Sequence, residues 1–368
     1  MLWPQIGLAQ NSTPRLDIGE LDRRATLLMN QLEMTGMAMA VIEDGEMVFA
    51  KGYGERLRDS GQLVTEDTVF RWASVSKSVA AHTVLDLAAE EKLSLAAPAQ
   101  ELAPSLKLPP SEQPVTLRGL LSHRTGLIRN AYDNRIEAGR PAKASRRALE
   151  NLPYQCPPET CHGYQNLAFD AASEAIEGVT RLPYKTVLQS RVFDPLDMTT
   201  ASVTHEGLVR SKNWARPHDR YGEAIGKAKP HYYRVPASAG VNSSVKDLAK
   251  WLIAQMDDTD TSAQMMQQPV VPTPREQAFL KRRFGALQNA HYGMGWRVYN
   301  YAGHKIIGHR GGVEGYRALA LFDPEKKAGI AIMWNSPHTR PIGLQVEFLD
   351  QLYDQPRRDW LRLHEGQR

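Results

Sequence analysis

The chain has 368 residues, enough for one large domain or two intertwined ones, and its 23% charged and 42% hydrophobic content is ordinary for a globular protein. Lys and Arg number 45 against 41 Asp and Glu, a net +4, and no basic run is interleaved with aromatics, which argues against a nucleic-acid partner. No stretch approaches the roughly 18 consecutive apolar residues of a membrane span.

Residues 1–16 read as a tail. They lack a basic opening segment, and Gly7-Leu8-Ala9 has the small-x-small form of a cleavage site, so a signal-peptide remnant and a plain tail stay open. Ile18, Leu21, Ala25, Leu28 and Leu32 recur at helical spacing and predict an amphipathic helix from about Asp17 to Glu33. The apolar runs from Met37 to Ile42 and from Met47 to Ala50 join through Asp44-Gly45, a hairpin signal. From Val69 to Trp72 a strand or coil leads into a helix beginning near Ser74. The middle of the chain, about His82 to Ala290, is mostly helical patterns and Pro-rich loops. Leu167 to Glu177, Tyr184 to Val192 and Val245 to Met256 read as helices, and Pro269, Pro272 and Pro274 mark a loop. Lys281-Arg282-Arg283 reads as the solvated face of a helix or loop.

Near the end, Gly295 to Tyr299, Lys305 to His309, Tyr316 to Phe322 and Gly329 to Trp334 read as successive strands. A last helix carries Leu344, Phe348, Leu349 and Leu352 on its apolar face. Strands at both ends with helices between them predict an α/β (α+β) fold. One antiparallel sheet domain is expected from residues 17–81 and 291–368, a mostly helical domain from 82–290, and an active site between them. Cys156 and Cys161 are the two cysteines, and their closeness suits a local disulfide in an oxidising compartment. Two free thiols are the alternative, and no second pair exists to complete a zinc site. A periplasmic or secreted location is expected ahead of a cytoplasmic one.

The chemistry centres on Ser74-Val75-Ser76-Lys77. A spacing of three residues puts Ser74 and Lys77 on one helical face. A hydroxyl becomes a useful nucleophile when a base takes its proton, and lysine serves where its charged form is disfavoured. A helix N-terminus favours the oxyanion that follows attack on a carbonyl. Alone the motif is weak: Ser243-Ser244-Val245-Lys246 repeats it, with Ser243 or Ser244 read as a helix N-cap. Tyr164-Gln165-Asn166 supplies the missing partners. A tyrosine beside an ammonium gives up its proton more readily, so Tyr164 suits a general base and later a general acid. The Asn166 amide can accept from Lys77 and donate to a substrate carbonyl. Tyr132-Asp133-Asn134 has the same spacing and is read as a decoy. His309-Arg310-Gly311-Gly312 ends a predicted strand with glycines that let backbone approach a ligand, so the N–H groups of Ser74 and Gly312 can form an oxyanion hole. His205-Glu206-Gly207 shares the H-x-G spacing without a strand.

In that order, Ser74-x-x-Lys77, Tyr164-x-Asn166 and His309-x-Gly311 resemble the three motifs of the serine β-lactamase and DD-peptidase superfamily. The version here is similar to the class C branch, which also holds family VIII carboxylesterases, D-aminopeptidases and certain DD-peptidases. Leu120 to Leu127 is similar to that branch's LLSHTSGL segment, Phe193 to Met198 to its F-x-P-L-G-M, and Pro236 to Ala249 to its A-G-G-x-x-S-T-x-x-D-L-A. The resemblance runs from about Met37 to Ser336. It implies a β-lactamase-like fold, Ser74 as acylated nucleophile, Lys77 and Tyr164 as proton-transfer pair, Asn166 and His309 as substrate-binding residues, and no metal or cofactor.

Two departures bear on substrate. His309 stands where β-lactamases usually carry lysine, which removes a fixed charge and shifts weight towards peptidases and esterases. Arg310 replaces a small hydroxyl residue and is read as binding a substrate carboxylate, turning to solvent, or pairing with Glu314. Arg129 and Asn130, beyond the LLSHRTGL segment, are weaker carboxylate candidates. The expected function is a serine hydrolase acting on an ester, amide or β-lactam within a small-molecule or peptide substrate. Peptidase or esterase specificity leads, a class C-type β-lactamase follows, and a penicillin-binding sensor without turnover is the alternative of another class. Oligomeric state is left open.

Overall fold

Strands that are apolar on both faces set the centre of the molecule. The computed structural model describes residues 16–363, so Gly7-Leu8-Ala9 lies outside the described residues. Ten strands form among the described residues: β1 (Gly36–Glu43), β2 (Glu46–Gly54), β3 (Phe70–Arg71), β4 (Asn242–Ser243), β5 (Val271–Pro272), β6 (Gln288–Tyr292), β7 (Arg297–Tyr301), β8 (His304–Val313), β9 (Tyr316–Asp323) and β10 (Ala328–Trp334). Eight of them make one antiparallel sheet in the order β2-β1-β10-β9-β8-β7-β6-β5, and β3 pairs with β4 apart from it. Both chain ends thus feed one sheet, with β1 against β10 through pairs such as Met39–Ile332.

Side chains alternate across each strand. Met37, Met39 and Val41 on β1 share one face with Ile330, Ile332 and Trp334 on β10, under α1 (Ile18–Leu28) and the C-terminal helix Gly343–Leu352. Ala38, Ala40, Ala318, Ala320 and Ala331 share the opposite face, where small side chains leave room for the helical half to pack closely. The helical half includes α2 (Ser76–Ala89) and the helix Val245–Ala254. Ser74, Lys77 and His309, the residues marked by the sequence motifs, lie at the junction between strand β8 and this half.

Several boundaries differ from expectation. The first helix stops at Leu28, and Leu32 is 83% exposed rather than on the apolar face. The chain has to reverse before entering β1 and does so in turns closed by Gln31 N–H to Leu28 O and Met34 N–H to Gln31 O. A boundary at 81/82 falls inside α2, and β5 and β6 extend the sheet with residues assigned to the helical part. The Pro269–Pro274 stretch is only partly loop: Val271–Pro272 is an edge strand, where a missing N–H is tolerated, and Pro274 opens the helix Pro274–Arg283. Leu167 to Glu177 divides into helices Asn166–Phe169 and Ala171–Thr180, and Tyr184–Leu188 passes into a π-turn over Gln189–Phe193. Leu16, placed in the tail, is buried against the sheet.

One ion-pair triad holds the middle of α2. His82 on α2 meets Asp260 at 2.7 Å and Asp86 at 3.2 Å, and Asp260 also caps the helix Thr261–Met266. Burial disfavours the imidazolium, but the bonds to Asp260 and Asp86 outweigh it and push the His82 pKa up to about 9. A pKa raised on folding adds stability that is complete below the unfolded value of about 6.5 and vanishes as pH climbs through 9. Chemical denaturation at pH 6 and pH 9.5 is expected to show up to about 3 kcal/mol lost, and His82→Gln should flatten that difference.

Candidate active site

The turn that carries Ser74 is held from both sides. The Trp72 backbone N–H donates to Val241 O at 2.9 Å, and its indole donates to Ser243 Oγ at 2.8 Å. Ala73 then adopts a left-handed φ of +47°, which costs an L residue roughly 1–2 kcal/mol. This kink places Ser74 in a 3-10 turn, Ala73–Val75, just before α2 begins at Ser76. The twin motif has the structural role read from its sequence: Ser244 caps the helix Val245–Ala254 by accepting from Asp247 N–H at 3.2 Å.

Lys77 is completely buried and reaches Ser74 Oγ at 3.4 Å. Its ammonium also donates to Asn166 Oδ1 at 2.7 Å and to Ser238 O at 3.0 Å. Burial pushes its pKa below the ordinary lysine value, while Tyr164 and Asp133 act in the opposite direction. The Tyr164 ring lies 4.8 Å from the Lys77 nitrogen and 5.7 Å from the Arg297 guanidinium, so two cations flank it. Asn166 opens its helix with its amide nitrogen donating to Asp133 Oδ2 at 2.8 Å. The supposed decoy tripeptide therefore contributes an acid to the site.

His309, on β8, is 2% exposed. Its Nδ1 faces Arg310 O at 2.9 Å and its Nε2 faces the Tyr292 hydroxyl at 3.1 Å, so both ring nitrogens are engaged within the protein. Burial, with Arg297 and Lys77 nearby, holds its pKa well below the usual value, which leaves it neutral. Arg310 pairs with Glu276 and lies over the Phe279 ring at 5.0 Å. Pairing with Glu314 does not occur; that acid meets Lys229 at 2.9 Å instead. Glu276 also holds Arg297 at 3.1 Å.

Gly311 explains how β8 meets the Ser74 turn. A Cβ there would sit 2.1 Å from Trp72 O and 3.0 Å from Ser74 N, so only glycine permits this approach. Gly312 follows, exposed, with the Arg317 guanidinium beside it. The LLSHRTGL segment lies under the tyrosine: His123, buried at φ +58°, packs 4.3 Å from the Tyr164 ring and accepts from Gln165 N–H at 3.2 Å. A cavity of about 630 Å³ opens beside Tyr164 and Gly311. Five arginines line it, Arg129, Arg275, Arg297, Arg310 and Arg317, against one acid, Glu276.

Ser74, Lys77, Tyr164, Asn166, His309 and the Gly311–Gly312 backbone, far apart in sequence, thus converge. The sequence pattern does not mark Ser238, Asp133, Tyr292 or Glu276 as site residues. Ser238 did carry a signal, since it lies in the Pro236–Ser244 landmark, whereas Glu276 sits in an ordinary charged helix.

The sequence of residues 21–353 matches the family model described as Beta-lactamase. The chain is 27% identical over 377 residues to the Unguisins hydrolase ungD of Aspergillus violaceofuscus, covering 90% of this chain and 63% of that protein. It is 24% identical over 340 residues to a D-aminopeptidase of Cereibacter sphaeroides, covering 87% and 60%. Penicillin-binding protein 4 of Amycolatopsis lactamdurans is 24% identical over 356 residues, covering 92% and 88%. The chain therefore spans about three-fifths of the length of the first two relatives. A solved structure, the octameric penicillin-binding protein homologue from Pyrococcus abyssi, superposes with a TM-score of 0.82 at 26% identity, covering 92% of this chain and 78% of that one. With the S-x-x-K, Y-x-N and H-x-G residues gathered around one turn and the match extending over most of its length, the chain belongs to the Beta-lactamase family, in its class C-like serine hydrolase branch.

Proposed function

We propose that this protein hydrolyses an ester or amide through an acyl-enzyme at Ser74, with peptidase- or esterase-like specificity. One observation carries the reading: a fully buried lysine 3.4 Å from the serine hydroxyl, bonded to neutral oxygens and depressed in pKa by burial. Lys77, with Tyr164, takes the Ser74 proton as Oγ bonds to the substrate carbonyl carbon. The resulting oxyanion is received by the Ser74 and Gly312 N–H groups. The carbonyl reforms as the bond to the leaving group breaks, and Tyr164 with Lys77 returns the proton to that group. Water, deprotonated by the same pair, then cleaves the acyl-enzyme and restores Ser74.

The neutral His309 supports the ranking of peptidase or esterase above β-lactamase, since no lysine charge stands at that position. The names of the D-aminopeptidase and hydrolase relatives point the same way. The arginine-lined cavity supports a substrate with an acidic group on that side. The Cys156–Cys161 disulfide supports an exported protein.

The test is hydrolysis of a p-nitrophenyl ester and a chromogenic β-lactam, followed by product release and intact mass. A burst followed by steady ester turnover is expected, with lower KM for carboxylate-bearing esters than for neutral ones. Ser74→Ala should abolish both the burst and the acyl mass increase. A stable adduct without turnover would instead identify a penicillin-binding sensor, and full activity in Ser74→Ala would end the acyl-enzyme reading.

A further inference from the structure

Tyr132-Asp133-Asn134 brings a carboxylate into the centre of the site. Asp133 begins the short helix Asp133–Glu137, and its Oδ2 accepts from the Asn166 amide nitrogen at 2.8 Å. Its Oδ1 is buried and accepts no hydrogen bond among the described residues. On the other side, Asn166 Oδ1 accepts from Lys77 at 2.7 Å.

An amide can turn over and exchange its oxygen for its nitrogen, whereas an ammonium only donates and a carboxylate only accepts. With Lys77 on one side and Asp133 on the other, one orientation satisfies both partners and the reverse satisfies neither. Charge gives a second reason. The hydrogen-bond acceptors of Lys77 are the Asn166 amide, the Ser238 carbonyl and the Ser74 hydroxyl, all neutral, and Asp133, one amide away, is the carboxylate whose charge acts on it beside Tyr164.

The other titratable groups around Lys77 do not replace that acid. Arg297 repels the ammonium and is held by Glu276. His123 and His309 are kept neutral by burial. Asp170 is occupied by Arg146 and the Ala237 N–H, and Tyr164 is the partner that exchanges a proton with Lys77 during turnover. Around Asp133 itself stand Glu137, Arg129 and Tyr232. Burial raises the Asp133 carboxyl above its ordinary range, with Asn166 and Lys77 drawing it back down.

We propose that Asp133 is a positioning residue, which locks the Asn166 amide with its oxygen on Lys77 and serves as the counter-charge to the buried ammonium. This rests on the reading of Ser74 and Lys77 as the acylating pair. It assigns a role in the site to a residue outside the three motifs.

The test is the pH dependence of ester hydrolysis in the full chain. Removing the negative charge lets Lys77 release its proton more easily, so in Asp133→Asn the acid limb of kcat/KM is expected to move about one unit lower. Loss of the fixed amide orientation is expected to lower kcat about tenfold with KM little changed. Asp133→Glu, which keeps the charge, should leave the limb near its wild-type position. Should Asp133→Asn fail to fold, Asp133→Ala reads the same limb. An unmoved limb with wild-type kcat in a folded variant overturns the proposal. Turnover that survives in Ser74→Ala sinks the acylation reading instead, so the two failures are distinguishable.

Discussion

Lys77→Met is expected to lower kcat for an ester about 10³- to 10⁴-fold, the upper range for removal of a positioned acid–base group. Methionine is close to lysine in length and apolar, so it fills the same buried space. It removes the cost of holding an ammonium away from water, but it leaves Asn166 Oδ1 and Ser238 O without a donor. These effects oppose each other, and the melting temperature should change by only a few degrees. KM should also change little, because Lys77 is wholly buried behind Ser74. Steady-state kinetics beside a thermal melt checks both parts. A folded variant with more than a tenth of wild-type kcat would show that another group takes the serine proton.

Gly311→Val is the second large effect. A valine Cβ would overlap Trp72 O and crowd Ser74 N, so strand β8 must move off the nucleophile turn and carry Gly312 with it. Displacing one oxyanion donor costs roughly 10²- to 10³-fold in kcat. Forcing a side chain into this packed junction adds about 1–3 kcal/mol of destabilisation. Gly312→Ala offers the contrast, since its new methyl group meets the Arg317 guanidinium, the far end of a flexible side chain. That variant should keep much more activity than Gly311→Val. Equal activity in the two would mean that β8 does not rest on the nucleophile turn in solution.

The two glycines also show how far the site was legible in the sequence. The motif around His309 marks a place where backbone approaches something closely, and the structure supplies the object, the carbonyl of Trp72 and the amide of Ser74. Arg310 was harder to read. Strand alternation sets the side of the sheet on which it emerges, but its partner Glu276 lies 34 residues away on a helix whose pattern is mostly charged. Glu314, the alternative partner nearer in sequence, pairs with Lys229 instead. Strand β6 is hidden in the sequence for a related reason: Gln288 to Tyr292 is largely polar, and its pairing with β7 makes it a strand where its own pattern does not.

By itself, the sequence determined the sheet built from both chain ends and the order of its chemical motifs. Those features rest on local periodicity, turn residues and spacing along one helix, all of which operate within a few residues. Only the tertiary structure decided the surroundings of Lys77. Its partners Asn166, Ser238 and, through the amide, Asp133 come from separate segments. Their effect is electrostatic and depends on distances through space and on burial, which no spacing along the chain encodes.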